Sequence, residues 1–333
     1  MAFINEPILL LTFFISFITT LLLLPYWIKR AKIAGLVGVD LHKLNKPKLA
    51  EIGGIIVVFG FLIGVLFYIG IRTFYFNDSD YILKILSILT TILIITIIGL
   101  IDDILGWKIG LRQWQKPLLC MLAALPIMVV NAGQSRLVFP LFGSIEFNLF
   151  YAILLVPVAI SGASNGFNML AGYNGLEAGL GIIILTALAY ISWVADASWI
   201  SIIALCMVFS LIAFLMYNKY PAKIFPGNTL TYSVGALIAC VAIFASIERA
   251  ALILFIPYFI ELFLKLRGRF QKESFAKLGK DGSLVMPYDK IYGLEHLAIY
   301  LLAKFKDKVS EKAVVYSIFA FEAVFVIIVL VIT

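Results

Sequence analysis

Charge is scarce in this chain. Only 14% of its 333 residues are Asp, Glu, Lys or Arg, against 63% hydrophobic residues and a mean hydropathy of +1.06. A soluble globular domain carries about 25% charged residues, so composition excludes that class. Cysteine is equally sparse: Cys120, Cys206 and Cys240 all fall inside apolar runs, which predicts buried thiols rather than a disulfide framework or a metal site. Histidine is reduced to His42 and His296, and His42 in a polar loop reads as solvated.

What is present is a succession of apolar runs. Ten stretches approach the roughly 20 residues that cross a bilayer, at 7–28, 52–71, 81–101, 117–131, 149–163, 178–194, 199–217, 230–246, 250–266 and 313–332. The chain therefore reads as one all-α integral membrane domain over residues 1–333, with about ten transmembrane helices. Its first run leads into Trp27-Ile-Lys-Arg30 without a small-residue cleavage site, which predicts a retained helix rather than a signal peptide. The net charge of +7 does not mark a nucleic-acid partner. Residues 29–51, 102–116, 164–177, 218–229 and 265–312 hold 22 of the 26 Lys and Arg, so the positive-inside rule predicts that these loops are cytoplasmic and both termini outside. The outer segment 131–148, with a Phe-Gly turn between apolar flanks, reads as a small β-hairpin.

The polar residues that remain gather on the predicted cytoplasmic side. The third span ends in Asp102-Asp103, where the helix dipole is already negative and an ionisable group is costly. A cation would relieve both problems; a solvated acidic turn is the plainer alternative. Lys108, Arg112 and Lys116 follow directly. The fifth span runs into Asn165-Gly-Phe-Asn168-Met-Leu-Ala-Gly-Tyr-Asn174-Gly-Leu-Glu177-Ala-Gly179. Asn165 and Asn168 share a helical face, suited to a ligand or to interhelical hydrogen bonds. Asn174 with Glu177 reads as a capping box opening the sixth span. Glu51-Ile-Gly53-Gly54 opens the second span, and Tyr217-Asn-Lys-Tyr-Pro-Ala-Lys-Ile-Phe225-Pro-Gly-Asn228-Thr229 leads into the eighth. The last inner loop starts Arg267-Gly-Arg269, spaced for a phosphate or for the membrane surface, and residues 295–308 read as an interfacial amphipathic helix. Paired carboxylates with amide oxygens suit Mg²⁺, and Lys, Arg and helix N-termini suit a phosphate-bearing substrate. Together they describe phosphoryl transfer.

The Ile101-Asp-Asp-Ile-Leu, Asn165–Gly179 and Tyr217–Thr229 segments resemble the signature loops of the polyprenyl-phosphate N-acetylhexosamine-1-phosphate transferases, in the dolichyl-phosphate GlcNAc-1-phosphate transferase branch of eukaryotes and archaea. The resemblance implies a membrane enzyme that moves GlcNAc-1-phosphate, or another HexNAc-1-phosphate, from UDP-GlcNAc to a polyprenyl or dolichyl phosphate with Mg²⁺, Mn²⁺ being a substitute. It assigns Asp102, Asp103 and Lys116 to catalysis and Asn168, Asn228 and Asp103 to the metal. Glu51, Asn165, Asn174, Glu177, Phe225, Arg267 and Arg269 fall to substrate, with Asn174 and Phe225 at the uracil. Asn228 departs from the family pattern, which has Asp there. The His-rich motif of the bacterial branches is absent, which argues against a MurNAc-pentapeptide substrate. The resemblance allows a homodimer in lipid. Two rival readings stay open: a non-catalytic nucleotide-sugar-binding relative, and a secondary transporter, although no internal repeat is visible.

Overall fold

The structure, a computed structural model, describes residues 7–106, 109–132, 136–139 and 143–332. Among them thirteen α-helices and three two-stranded antiparallel ribbons are found. The helices are α1 (Leu10–Ile33), α2 (Gly54–Gly70), α3 (Ile82–Leu105), α4 (Gln115–Leu122), α5 (Leu125–Val129), α6 (Val156–Met169), α7 (Leu176–Val194), α8 (Ser198–Asn218), α9 (Asn228–Ala245), α10 (Glu248–Leu254), α11 (Ile256–Arg267), α12 (Leu294–Leu302) and α13 (Glu311–Ile332). Single wide turns at Ile71–Tyr75 and Tyr151–Leu155 lengthen α2 and α6. Among the described residues, eight helical segments are long and apolar enough to cross a membrane.

The other two expected spans are built in pieces. Residues 117–131 divide into α4 and α5, and 250–266 fall across α10 and α11, which meet at Phe255. Pro126 and Pro257 stand in the first turn of the second piece in each case. Proline lacks the N–H that would continue the preceding helix, but it fits a helix start.

The centre of the bundle is α9. Within α9, 83% of the span is buried, so it has almost no lipid-facing side. It packs against α6 on one flank and α3 on the other, while α8 joins α7, α1 and α2 into the adjoining layer. Gly99 makes the α3–α9 approach feasible, because a Cβ there would lie 2.8 Å from the backbone of Asn228 and Thr229. The end of α3 thereby reaches the start of α9.

The expected outer hairpin is present as β3 (Arg136–Phe139) paired with β4 (Gly143–Glu146), its turn residue Phe142 lying outside the described residues. Two unexpected ribbons, β1 (Val37–Val39) with β2 (Lys48–Ala50) and β5 (Lys277–Leu278) with β6 (Leu284–Val285), stiffen the loops after α1 and α11. Ala50 bridges in parallel to Ile224. Phe225 N–H donates to Ala50 O at 2.8 Å, and Gly53 and Gly54 N–H donate to Phe225 O and Pro226 O at 3.0 and 2.9 Å. The loop before α9 is thus strapped to the entry of α2.

Candidate active site

The geometry at the Asp102-Asp103 step explains how two carboxylates survive at a helix C-terminus. Asp103 Oδ1 accepts the Asn228 N–H at 2.7 Å, and its Oδ2 accepts the Thr229 N–H at 2.9 Å and the Thr229 hydroxyl at 2.6 Å. The carboxylate of α3 therefore caps α9, and the positive end of the α9 dipole offsets its charge. Gly227 precedes this contact at φ +72°, and a side chain there would collide with Asp103. Asp102, only 4% exposed, is satisfied otherwise: Oδ1 accepts the Leu111 N–H at 2.7 Å, and Oδ2 receives Lys116 Nζ at 2.6 Å and Asn228 Nδ2 at 2.5 Å. Asn168 joins the group from α6, its Oδ1 accepting the Thr231 hydroxyl at 2.7 Å.

Asp102, Asp103, Lys116, Asn168 and Asn228 are thus brought together at one end of the bundle. Their oxygens fit a hard cation such as Mg²⁺ in donor chemistry. Asp102, Asp103 and Asn168 each accept hydrogen bonds yet keep free lone pairs. Asn228 is different, because it turns its amide N–H toward Asp102 rather than a carbonyl oxygen outward. Its expected place in the metal shell requires that amide to turn over. An Asp at position 228 would set two carboxylates against each other here, a repulsion that Lys116 offsets in part and a cation between them would offset further.

Glu51 and Phe225 lie at the edge of this centre. The strap beside β2 places them together, and a Cβ on Gly38 would strike Glu51 Oε1 and come within 3.2 Å of the Phe225 ring. Burial and the charge of Asp103 push the Glu51 carboxyl above the usual carboxylate range. Among the described residues, Arg267 and Arg269 form no salt bridge with Asp102 or Asp103. Their turn is tied to the loop before α4 by Gln113 Nε2, which donates to Phe270 O at 3.2 Å. Arg267 lies 5.8 Å over the Tyr292 ring. Asn165 donates its amide back to Ser161 O at 2.9 Å, one turn earlier in α6. Trp107 and Lys108 lie outside the described residues.

The capping box expected at Asn174–Glu177 does not form. Helix α7 starts at Leu176 behind Gly175 at φ 84°, with no side-chain cap. Glu177 Oε1 instead accepts the Gly172 N–H at 2.8 Å, folding the loop back on itself. Asn174 is drawn elsewhere: its Oδ1 accepts the Ala222 N–H at 2.8 Å, its Nδ2 donates to Asp40 Oδ2 at 3.3 Å, and its N–H donates to Glu311 Oε1 at 2.7 Å. One amide hydrogen and one lone pair of the Asn174 side chain are left unused by these contacts.

This buried knot was not legible in the sequence. Lys43 bridges Asp40 Oδ2 at 3.3 Å and Glu311, and covers the Tyr220 ring at 4.0 Å. His42, expected to be solvated, is 5% exposed, packs 4.3 Å from the Tyr173 ring and accepts the Ala276 N–H at 3.2 Å. Leu111 and Thr231 were not legible either, and Thr229 stood out only as part of the step into α9, not for its hydroxyl. A motif search finds side chains, and two of these contribute hydroxyls while Leu111 contributes only backbone.

The description "Glycosyl transferase family 4" matches residues 85–246. The chain is 39% identical over 322 residues to a Saccharolobus solfataricus protein provisionally named a UDP-N-acetylglucosamine–dolichyl-phosphate N-acetylglucosaminephosphotransferase, covering 96% of this chain and 94% of that one. A Dictyostelium discoideum protein carrying that name is 32% identical over 262 residues, 67% of this chain and 63% of its own. A Phospho-N-acetylmuramoyl-pentapeptide-transferase of Halalkalibacterium halodurans is 30% identical over 260 residues, 73% and 77% of the two chains. With the carboxylate pair at the α3–α9 junction inside the matched region and the similarity running nearly end to end, the chain belongs to glycosyl transferase family 4.

Proposed function

We propose that this multi-pass membrane protein transfers GlcNAc-1-phosphate from UDP-GlcNAc to a dolichyl or polyprenyl phosphate, giving lipid-diphospho-GlcNAc and UMP. The relatives named for that reaction support it. The observation that carries it is the meeting of Asp102, Asp103 and Lys116 at the start of α9, which gathers one ammonium and two carboxylates able to hold a cation at a single point.

The contacts support a role for each residue. Lys116, paired with Asp102, is placed to receive the phosphate of the lipid, and Asp102 then takes that phosphate's proton where it carries one. Asp103, tied by three donors, holds α9 in place and is a poor nucleophile; this favours direct attack of the lipid phosphate on the β-phosphorus, with UMP leaving. Mg²⁺, or Mn²⁺ in its place, held by Asp102, Asp103 and Asn168, supplies charge neutralisation on the diphosphate when bound. Phe225 and Glu51 border the nucleoside, and Arg267 and Arg269 face the sugar diphosphate. The charge bias of the loops supports a cytoplasmic site with both termini outside.

The test is UMP release from UDP-GlcNAc that requires both lipid phosphate and Mg²⁺. Binding of the nucleotide sugar without turnover would favour a non-catalytic relative, and neither would favour transport. A panel of UDP-sugars fixes the HexNAc. Net inversion at the β-phosphorus is expected; net retention would show a covalent intermediate.

A further inference from the structure

Below the Arg267–Arg269 turn lies a second group of carboxylates that the roles above leave unused. Glu261 on α11 and Glu295 on α12 are both 0% exposed. A methyl carbon built on Gly293 would stand 2.7 Å from Glu295 Oε2 and 3.1 Å from Glu261 Oε1, so both carboxylates face the same side of one glycine. Glu261 Oε2 accepts the Leu294 N–H at 2.6 Å and so caps α12, while its Oε1 lies 3.2 Å from Lys265 Nζ. Lys265 also donates to Ser274 Oγ. Among the described residues, neither Glu295 oxygen has a hydrogen-bond partner.

The groups facing this pair cannot balance it. Lys265 is the cation on α11; Glu177 on α7 adds a further carboxylate, and Tyr173 and Glu311 border the same region from the α6–α7 loop and α13. His296 is uncharged at neutral pH, because burial and Lys265 push its pKa down to about 4. Burial and the charge of Glu261 hold the Glu295 carboxyl well above the usual range. One ammonium facing two adjacent acids in a dry site requires one of them to stay neutral.

We propose that Glu261 and Glu295 share a single proton and, through Lys265 and α12, act as positioning residues for the Arg267–Arg269 turn. The turn depends on Lys265 twice. Besides the side-chain bond to Ser274, Lys265 O accepts the N–H groups of Gly268 at 3.0 Å and Phe270 at 2.9 Å. Arg269 and Phe270 are held at φ 52° and 55°, a strained conformation for non-glycine residues that the surroundings must impose. Loss of the shared proton adds a buried negative charge beside the α12 cap, pulls Lys265 off Ser274 and frees the turn. The functional consequence rests on the reading of the two arginines as diphosphate contacts.

The experiment uses the full-length protein in lipid. The KM for UDP-GlcNAc is measured from pH 6.5 to 9.5 for wild type, Glu295→Gln and Glu261→Gln, together with tryptic cleavage after Arg267 and Arg269 at each pH. In wild type KM rises about threefold or more toward alkaline pH as the pair ionises, with kcat less affected. Glu295→Gln, permanently neutral, keeps the low KM and is cleaved more slowly than wild type at pH 9; Glu261→Gln, whose amide oxygen still accepts from Leu294, does the same and serves if the first variant misfolds. Identical KM profiles and cleavage rates in wild type and variants overturn the inference. If wild type releases no UMP, the transferase reading fails by itself, and the cleavage comparison still decides the shared proton.

Discussion

Replacing Asn228 with Asp tests the centre through its most unusual contact. In the structure Asn228 Nδ2 lies 2.5 Å from Asp102 Oδ2, which also receives Lys116 Nζ at 2.6 Å. The substitution removes a hydrogen bond to a charged group, about 1.5 kcal/mol. It also sets two carboxylates side by side, and like charges about 4 Å apart repel by about 4 kcal/mol at an effective dielectric of 20. Lys116 offsets roughly half of that, leaving a net cost of about 2 to 4 kcal/mol without metal. A divalent cation between the two carboxylates removes the repulsion and gains a charged ligand. A recovery of about 1.4 to 2 kcal/mol corresponds to a Mg²⁺ requirement roughly ten- to thirtyfold lower. Two measurements check this: thermal unfolding of Asn228→Asp against wild type in chelator and in Mg²⁺, and the Mg²⁺ concentration for half-maximal UMP release. The variant should melt lower in chelator and gain more from Mg²⁺. An unchanged or higher Mg²⁺ requirement removes Asn228 from the metal shell; unchanged stability in chelator refutes the Asp102 contact itself.

Asp103→Ala uncaps α9 and should cost about 1 to 3 kcal/mol in unfolding free energy in addition to abolishing turnover, whereas Asp103→Asn retains part of the stability. Lys116→Met should lower kcat and raise the KM for the lipid phosphate while the KM for UDP-GlcNAc changes little, measured by varying each substrate separately. Glu51 is an acid whose folded pKa is raised above its ordinary 4.5 by burial and Asp103, so its contribution to stability is full below pH 4.5 and is lost as pH rises through the folded value. Glu51→Gln should flatten that decline in melting temperature above pH 4.5. Glu311→Gln breaks the buried ion pair with Lys43 while its amide oxygen can still accept from Asn174, and a loss of about 2 to 4 kcal/mol is expected by denaturant unfolding in micelles.

Hydropathy alone located the spans, because a bilayer demands length and apolarity of every crossing segment. It could not show that Pro126 and Pro257 divide two of them, since composition is blind to where a helix restarts. The carboxylates and asparagines were visible as polar residues with no reason to sit at helix ends. Their partners were hidden because those are backbone N–H groups and hydroxyls from distant segments, as with Thr229 on Asp103 and Thr231 on Asn168. Asn174 and Glu177 carried the spacing of a capping box, and tertiary contacts from Ala222, Asp40 and Gly172 overrode that local preference. His42 shows the same limit, since nothing in its own loop announces Tyr173 or Ala276.

The bond set between Asp103 and the start of α9 has a consequence for how this protein would meet a metal ion. Where a zinc finger is unfolded until its ion arrives, here the ends of α3 and α9 are already joined by three protein hydrogen bonds to one carboxylate. Assembly of the bundle and acquisition of a cation are thereby separable events. A cation bound here would then be able to come and go with substrate instead of fastening the fold, and chelated protein should stay folded, monodisperse and open to titration.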